Sequence, residues 1–486
     1  MTFWDGDSDS SDDGEESSIK EKEKQRLFSL ARFTGELVKD VPANQIKAFK
    51  TFEPIVRRLL HYFTSMTFMD DEEATSAARI LTQMLSNITT GNETLIESLW
   101  ETYLNLQEDQ VVLIRLLASQ DTRTLLAVLT LISSCIHESR ARIKMLTRTA
   151  TGARICMALL DNMVKLYNAD EATNAIGAKV FDAGYSIFVQ IIEAGFISDL
   201  YAKLAIPEEI VTSHQTTLLK LLNSYLQSTP AATSGTRTSL MRIHSRLSLM
   251  MPKLFFSLSF HAQTVMRSNR DDGPSDFAPD IASSPLESNI PVEFVSLHKV
   301  CEALVLVTQC IVKLVLDAQN NHGSSNSGST SSKNELDVVT FFHQVHVEGI
   351  SLTECIVGLL RLLHRFLPRI NFGKSSSGRA VEQGTPAQRS ISALDTPGFN
   401  FLKRDLVRLL GILCYEDQAV QDRLRKCGGI EVVMNLCVVD ERNPNLREDA
   451  IFALHSLLKD NAANQAVVEE LKPMGQWDES EIHLVR

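Results

Sequence analysis

The sequence predicts an all-α fold of the armadillo/HEAT-like helical solenoid type, and three observations carry that reading. Apolar residues recur at three- and four-residue steps over most of the stretch from Gln25 to Phe260. Turn formers are few, with 22 Gly and 14 Pro in 486 residues. A segment near the carboxyl end repeats itself at an offset of 44 residues. The first is the period of helices buried on one face, and no comparable run alternates at the period of a strand. Scarce turn residues disfavour a sandwich or barrel, which turns every few residues. The third is the repeat length of armadillo and HEAT arrays. With 44% apolar and 22% charged residues the composition supports a large buried core.

In chain order, residues 1–25 read as an acidic, Ser-rich tail that cannot bury enough apolar area to fold. Met1 to Ser18 holds seven acids and no base, which leaves −5 of the net −12 for the remaining 468 residues. So mild a balance gives no electrostatic case for nucleic acid. The tail has neither a basic n-region nor an apolar h-region, so no secretory signal is read. The sequons at Asn87 and Asn92 are accordingly expected to be bare. Residues 26–372 read as a helical array. Its stripes include Ala77, Ile80, Leu81, Met84, Leu85 and Ile88, expected to start after Thr75-Ser76 and to stop near Gly91. Others are Leu125, Leu129, Ile132 and Ile136, and Leu218, Leu219, Leu222, Tyr225 and Leu226. Polar, Pro- or Gly/Ser-rich insertions interrupt it near 268–291 and 320–332, with helical pieces at about 293–319 and 336–370. A Ser/Thr-Pro linker at 373–398 follows, then a carboxyl-terminal domain at 399–473 and a tail at 474–486. The most apolar span, Val300 to Leu316, contains Glu302, Gln309 and Lys313 and falls short of a membrane helix. The eight Cys form no CxxC pair and sit mostly in apolar stripes, as reduced core residues do. Cytoplasm is the expected compartment.

The offset of 44 aligns Leu402 with Leu446, Leu406 with Ala450, Val407 with Ile451 and Leu409 with Ala453. It also aligns Leu410 with Leu454, Leu413 with Leu457 and Cys414 with Leu458, which predicts one apolar stripe in both copies. Between the copies, Gln418 to Lys426 suits a short helix, Gly428-Gly429 its stop, and Ile430 to Cys437 a second helix. Asn443 is expected to N-cap the next helix, with Pro444 at its first position. The passages KRDLVRLLGILCY, GGI, NLCVVDERNPNLRE and AIFALHSLLKDNAANQ together resemble the carboxyl-terminal domain of the ataxin-10 family, over about 75 residues. His455-Ser456 and the acidic Glu416-Asp417 depart from the family pattern, at positions where a partner-facing surface could change. The resemblance implies a non-enzymatic scaffold connected with cell division, particularly cytokinesis, and with signalling through recruited proteins. It carries over no catalytic residue.

Motif chemistry is sparse. Phe372-Gly373-Lys374-Ser375 lacks the first Gly of a phosphate loop, Pro368 standing in its place. His343 and His346, placed on one helical face, with Cys355 and His364 further along, lack the second tight pair of a structural zinc site. Cys414, Cys427 and Cys437 read as structural. No catalytic residue, cofactor site or metal site is assigned. Ser284, Thr385 and Thr396 precede Pro, and Ser390 and Ser392 follow Arg389, so these five are phosphorylation candidates, and the four that cluster before the carboxyl-terminal domain are expected to make that linker a regulatory hinge. Arg404, Arg408, Arg447, Glu448 and His455 flank the apolar stripe and are the candidate partner surface. The reading is a protein-binding scaffold, with self-association open to the last apolar helix and with no nucleic acid or membrane insertion. Two alternatives stand beside it, an importin-like transport adaptor and an enzyme of unrecognised type. The adaptor needs a Trp/Asn ladder, and Trp4, Trp100 and Trp477 do not recur on long helices.

Overall fold

Side-chain caps set the start of many of the helices, including four in the first half of the chain. The computed structural model describes residues 41–68, 71–107, 110–168, 175–228, 234–271, 292–323, 337–367, 401–440 and 445–470, with scattered positions from 22 to 38 and with Arg369, Phe399 and Asn443. The linker at 373–398, the Lys374-Ser375 motif and all five phosphorylation candidates lie outside the described residues. Two units form, one up to Leu204 and one from Ala205.

The first unit contains α1 (Pro42–Phe63), α2 (Glu72–Thr89), α3 (Glu93–Leu104), α4 (Val112–Leu117), α5 (Thr122–Ile136), α6 (Arg140–Arg148), α7 (Ala150–Asn168), α8 (Ala175–Ala194) and α9 (Ile197–Lys203). Asp71, Asn92, Asp121 and Ser139 cap α2, α3, α5 and α6 through their side chains. Each satisfies amide groups that the helix itself leaves unpaired. Asp71 therefore starts α2 ahead of the expected Thr75-Ser76. The long helices α1, α2, α5 and α8 pack one on the next in a row. Leu85, Ile88, Val128, Ile132, Ile187, Phe188 and Ile191 form its buried seam. Burial of each such side chain contributes about 1.5–3 kcal/mol relative to exposure. Among the described residues α8, not the 300–316 span, is long and apolar enough to cross a membrane; here it packs on α5, α6 and α7.

The second unit contains α10 (Ser213–Ser228), α11 (Ser234–Asp271), α12 (Val292–Gly323), α13 (Val338–Gln344), α14 (Leu352–Phe366), α15 (Leu402–Cys414), α16 (Gln418–Lys426), α17 (Gly429–Met434), α18 (Leu446–Leu458) and α19 (Ala462–Glu470). Here too one row forms, α10 on α12, α12 on α15 and α15 on α18, with α11 and α14 packed behind it. The fold class is the all-helical repeat class expected.

Two local expectations fail. The piece at 336–370 is not one helix: a two-stranded hairpin, β1 (His346–Val347) with β2 (Ile350–Ser351), interrupts it. Its turn residues Glu348 and Gly349 both have positive φ, the requirement of a tight two-residue hairpin turn. Strands of two residues are too short to show alternation in sequence. Asn443 does not cap α18. Asn445 does so in left-handed geometry, while the buried Asn443 amide donates to Asp440 at 2.8 Å.

Candidate interaction surface

The carboxyl-terminal repeat is exact in its backbone as well as its stripe. α15 and α18 have 13 residues each, α16 and α19 have nine, and every boundary is displaced by the same 44. At the joint after each long helix, Glu416 and Asp460 turn the chain at φ +57° and +56°. Asp417 and Asn461 then cap the short helices, accepting from Val420 N at 2.9 Å and Asn464 N at 3.1 Å. Gln421 and Gln465 each reach back seven residues to a last-turn carbonyl, those of Cys414 (3.3 Å) and Leu458 (2.8 Å). The same joint recurs in the first unit, where Glu138 has φ +51°, Ser139 caps α6 and Arg142 donates to the Cys135 carbonyl. Orphan carbonyls at helix ends are thus answered by side chains of the next helix.

These contacts account for the passages that carry the family resemblance. Lys403, fully buried, donates to the Leu367 carbonyl and lies 4.0 Å from buried Asp440, which Asn443 also contacts. Gly428, at φ +67°, starts α17, and Arg361 from α14 holds the Cys427 and Gly428 carbonyls. Asp417 and Ser456, where the sequence departs from the family pattern, serve the fold. Asp417 also takes His343 Nδ1 at 2.8 Å, and the buried Ser456 donates to the Phe452 carbonyl.

The row α10–α12–α15 carries a cleft of about 280 Å³ lined by Asn223, Gln227, Gln309, Lys313, Arg404 and Arg408, among others. A hydrogen-bond chain crosses three helices there. Asn223 donates to Gln309 at 2.9 Å, Gln309 donates to Asp405 at 2.7 Å, and Arg404 pairs with Asp405 at 2.7 Å. Asp405 is 3% exposed, so a buried carboxylate is held by an amide and a guanidinium, as burial of charge demands. Arg404 also stacks over Phe401 at 4.4 Å. Asp449 of α18 faces this pair; burial raises its pKa, opposed by Arg408 and Arg404. In the first unit, a cleft of about 540 Å³ on α2, α5 and α8 is likewise lined by Arg79, Gln83, Asn87, Arg123, Thr130 and Lys179, among others.

The structure brings Arg404 and Arg408 together in the cleft, with Arg404 half-buried and committed to Asp405 and Arg408 exposed. Arg447, Glu448 and His455 are exposed on α18, Arg447 acting on the Cys437 thiol instead of the cleft. Asn223, Gln227, Gln309 and Lys313 were missed by sequence reasoning. Their one signal was a polar residue on an otherwise apolar helix, as Gln309 is within VLVTQCIV.

The other candidates are placed apart. His343 lies on α13 and His346 on β1, so they share no helical face. Cys355 donates to Ser259 at 3.3 Å, and the buried Nδ1 of His364 has no hydrogen-bond partner. Burial raises the Cys414, Cys427 and Cys437 thiols above their ordinary pKa, so none is an activated nucleophile. Trp100 is buried in α3 and donates to the Arg142 carbonyl at 3.1 Å, a core role and not a rung of a groove ladder. Trp4 and Trp477 lie outside the described residues.

Row, joint and cleft define a helical-repeat protein that offers open surface. Residues 402–486 match the model of the spinocerebellar ataxia type 10 protein domain. The chain is 40% identical over 80 residues to an ataxin-10 homolog of Dictyostelium discoideum, 16% of this chain and 13% of that one. Human ataxin-10 is 30% identical over 130 residues, 26% of this chain and 25% of that one. The Kluyveromyces lactis ataxin-10 homolog is 29% identical over 136 residues, 24% and 25% of the two chains. Among solved structures, that of SYS-1 aligns over 94% of this chain and 86% of its own at 12% identity, with a TM-score of only 0.28. At its carboxyl end the chain thus carries a domain similar to that of the ataxin-10 proteins. The matched stretches span 13% to 25% of these relatives' own length.

Proposed function

We propose that this chain is a non-enzymatic, cytoplasmic scaffold that binds other proteins along its helix rows. The open polar cleft on α10, α12 and α15 supports this reading most directly. Its walls come from successive helices of one row, so an extended or helical segment can lie across them. Arg408 is its exposed anchor, whereas Arg404 is a positioning residue held by Asp405. Among the residues on α18, Glu448, Arg447 and His455 would meet only a larger partner. The family resemblance supplies the biological setting, with cell-division proteins and recruited signalling proteins as the expected partners. Phosphorylation at Ser284, Thr385, Ser390, Ser392 or Thr396 would tune that binding through charge.

The test compares proteins retained by the tagged full-length chain and by its Arg408→Glu variant in dividing cells. Division or signalling proteins lost by the variant, with an unchanged melting temperature, support the reading. Retention of the same proteins by both, but loss with Arg123→Glu, moves the surface to the first unit. Failure of the full-length chain to retain any protein overturns the scaffold reading. Phosphopeptide mapping that finds 373–398 unmodified throughout the division cycle removes the regulatory part.

A further inference from the structure

The two copies of the repeat differ in one respect that the sequence pairing hides. In the first copy Val407, Leu410 and Cys414 are all 0% exposed, because α18 packs over that side of α15. Their equivalents on α18 are Ile451, Leu454 and Leu458. Ile451 is 49% exposed, and Leu454 and Leu458 are only half-buried. Phe452 beside them is 44% exposed, its ring resting on Gly411 at the edge of the same surface. The stripe expected to be equally buried in both copies is therefore open in the second. An apolar helix face of this kind normally meets the next element of an array.

We propose that this face of α18 is a docking site for residues 474–486 of the same chain. Four observations select that occupant. Residues 474–486 contain Trp477, Ile482, Leu484 and Val485, enough apolar surface to cover Ile451, Phe452 and Leu454. The segment also carries Asp478, Glu479 and Glu481, while exposed Arg447 stands at the start of α18. Its reach is sufficient: 16 residues follow Glu470 and can extend about 50 Å, against about 20 Å for a 13-residue helix. The family-model match, which runs to residue 486, includes this segment in the domain. Tethering makes such docking intramolecular, at an effective concentration in the millimolar range. The proposal stands independently of the scaffold reading, and an occupied face would be withheld from other proteins.

Trp477 reports on it directly. Iodide quenching of tryptophan fluorescence is measured on the full-length chain carrying Trp4→Phe, where the buried Trp100 is a constant background. Docking predicts a protected Trp477 whose quenching constant rises roughly threefold when Ile451→Asp makes the face polar and the indole returns to water. Leu484→Asp with Val485→Asp, which leaves the array untouched, is expected to have the same effect. Helicity and melting temperature are recorded alongside. Equal quenching in the parent and all variants overturns the proposal. So does protection of Trp477 that disappears on serial dilution, because the occupant is then a second copy.

Discussion

Glu416 and Asp460 occupy the same point of two successive repeats and share a left-handed backbone, at φ +57° and +56°. Each lets the chain leave a long helix and enter the next short one within a few residues. A side chain with a Cβ costs about 1–2 kcal/mol in that region, and Asp tolerates it better than Glu. The joint survives because Asp417 and Asn461, one residue on, cap the helices that follow.

Replacing Asp460 with Gly should therefore stabilise the second unit by about 0.5–1 kcal/mol, since Gly adopts this conformation without the Cβ penalty. Asp460 is exposed, so little packing is lost. A denaturant titration reads the effect, and a midpoint lower than that of the parent would show the left-handed turn to be unstrained.

Gly411 marks the closest approach of α15 and α18. A Cβ there would lie 2.9 Å from Phe452 Cδ1 and 3.0 Å from Ala453 Cα. The ring can yield, but the backbone atom cannot. Gly411→Ala should cost about 2 kcal/mol through overpacking. Phe452→Leu in the same chain should recover part of that loss, which a double-mutant cycle measures as a coupling between the two sites. Strict additivity would refute the proposed clash.

How much of this was legible in the sequence follows from what each signal depends on. The repeat was, because Leu402, Leu406, Leu409 and Leu413 fall on one stripe and a shift of 44 residues finds it again. The joints were not, since Glu416 and Asp460 are ordinary residues in an unusual conformation. Ile451 read as core because its partner Val407 is core; only the presence of α18 over one and not the other separates them. Arg404 and Arg408 were found by their position beside the stripe. Asn223 and Gln309 join them across roughly a hundred residues and more, and no local pattern reports such a pairing.

Lys403 and Asp440 form a buried ion pair 4.0 Å apart, with a fully buried lysine. Removing one charge strands the other away from water. Lys403→Met should destabilise by about 3–5 kcal/mol, whereas Lys403→Met with Asp440→Leu should lose markedly less. Chemical denaturation of the parent, Lys403→Met, Asp440→Leu and the double variant checks this. A double variant as weak as the sum of the two single ones would place the stabilisation in the Leu367 and Asn443 hydrogen bonds and not in the pair.

Acid should weaken the second unit before its carboxylates protonate. Burial holds His244 below its ordinary pKa of 6.5, and it outweighs Asp317, whose carboxylate stands 4.0 Å off and is already paired with Lys313 at 2.7 Å. Burial lowers His364 as well, aided by the charges of Lys403 and Arg369. Both imidazoles stay neutral in the fold and take up a proton on unfolding. Their contribution is present in full above pH 6.5 and is lost as pH falls through the depressed folded values. Asp449 has the opposite sign, because burial raises its pKa and favours the protonated carboxyl, but it titrates from an ordinary value of 3.8 and acts at lower pH. The melting temperature should thus fall between about pH 7.5 and about pH 5.5, the range in which free imidazoles charge. His244→Gln should flatten that fall, since glutamine carries no proton to gain. A slope unchanged by His244→Gln would assign the acid sensitivity to other groups.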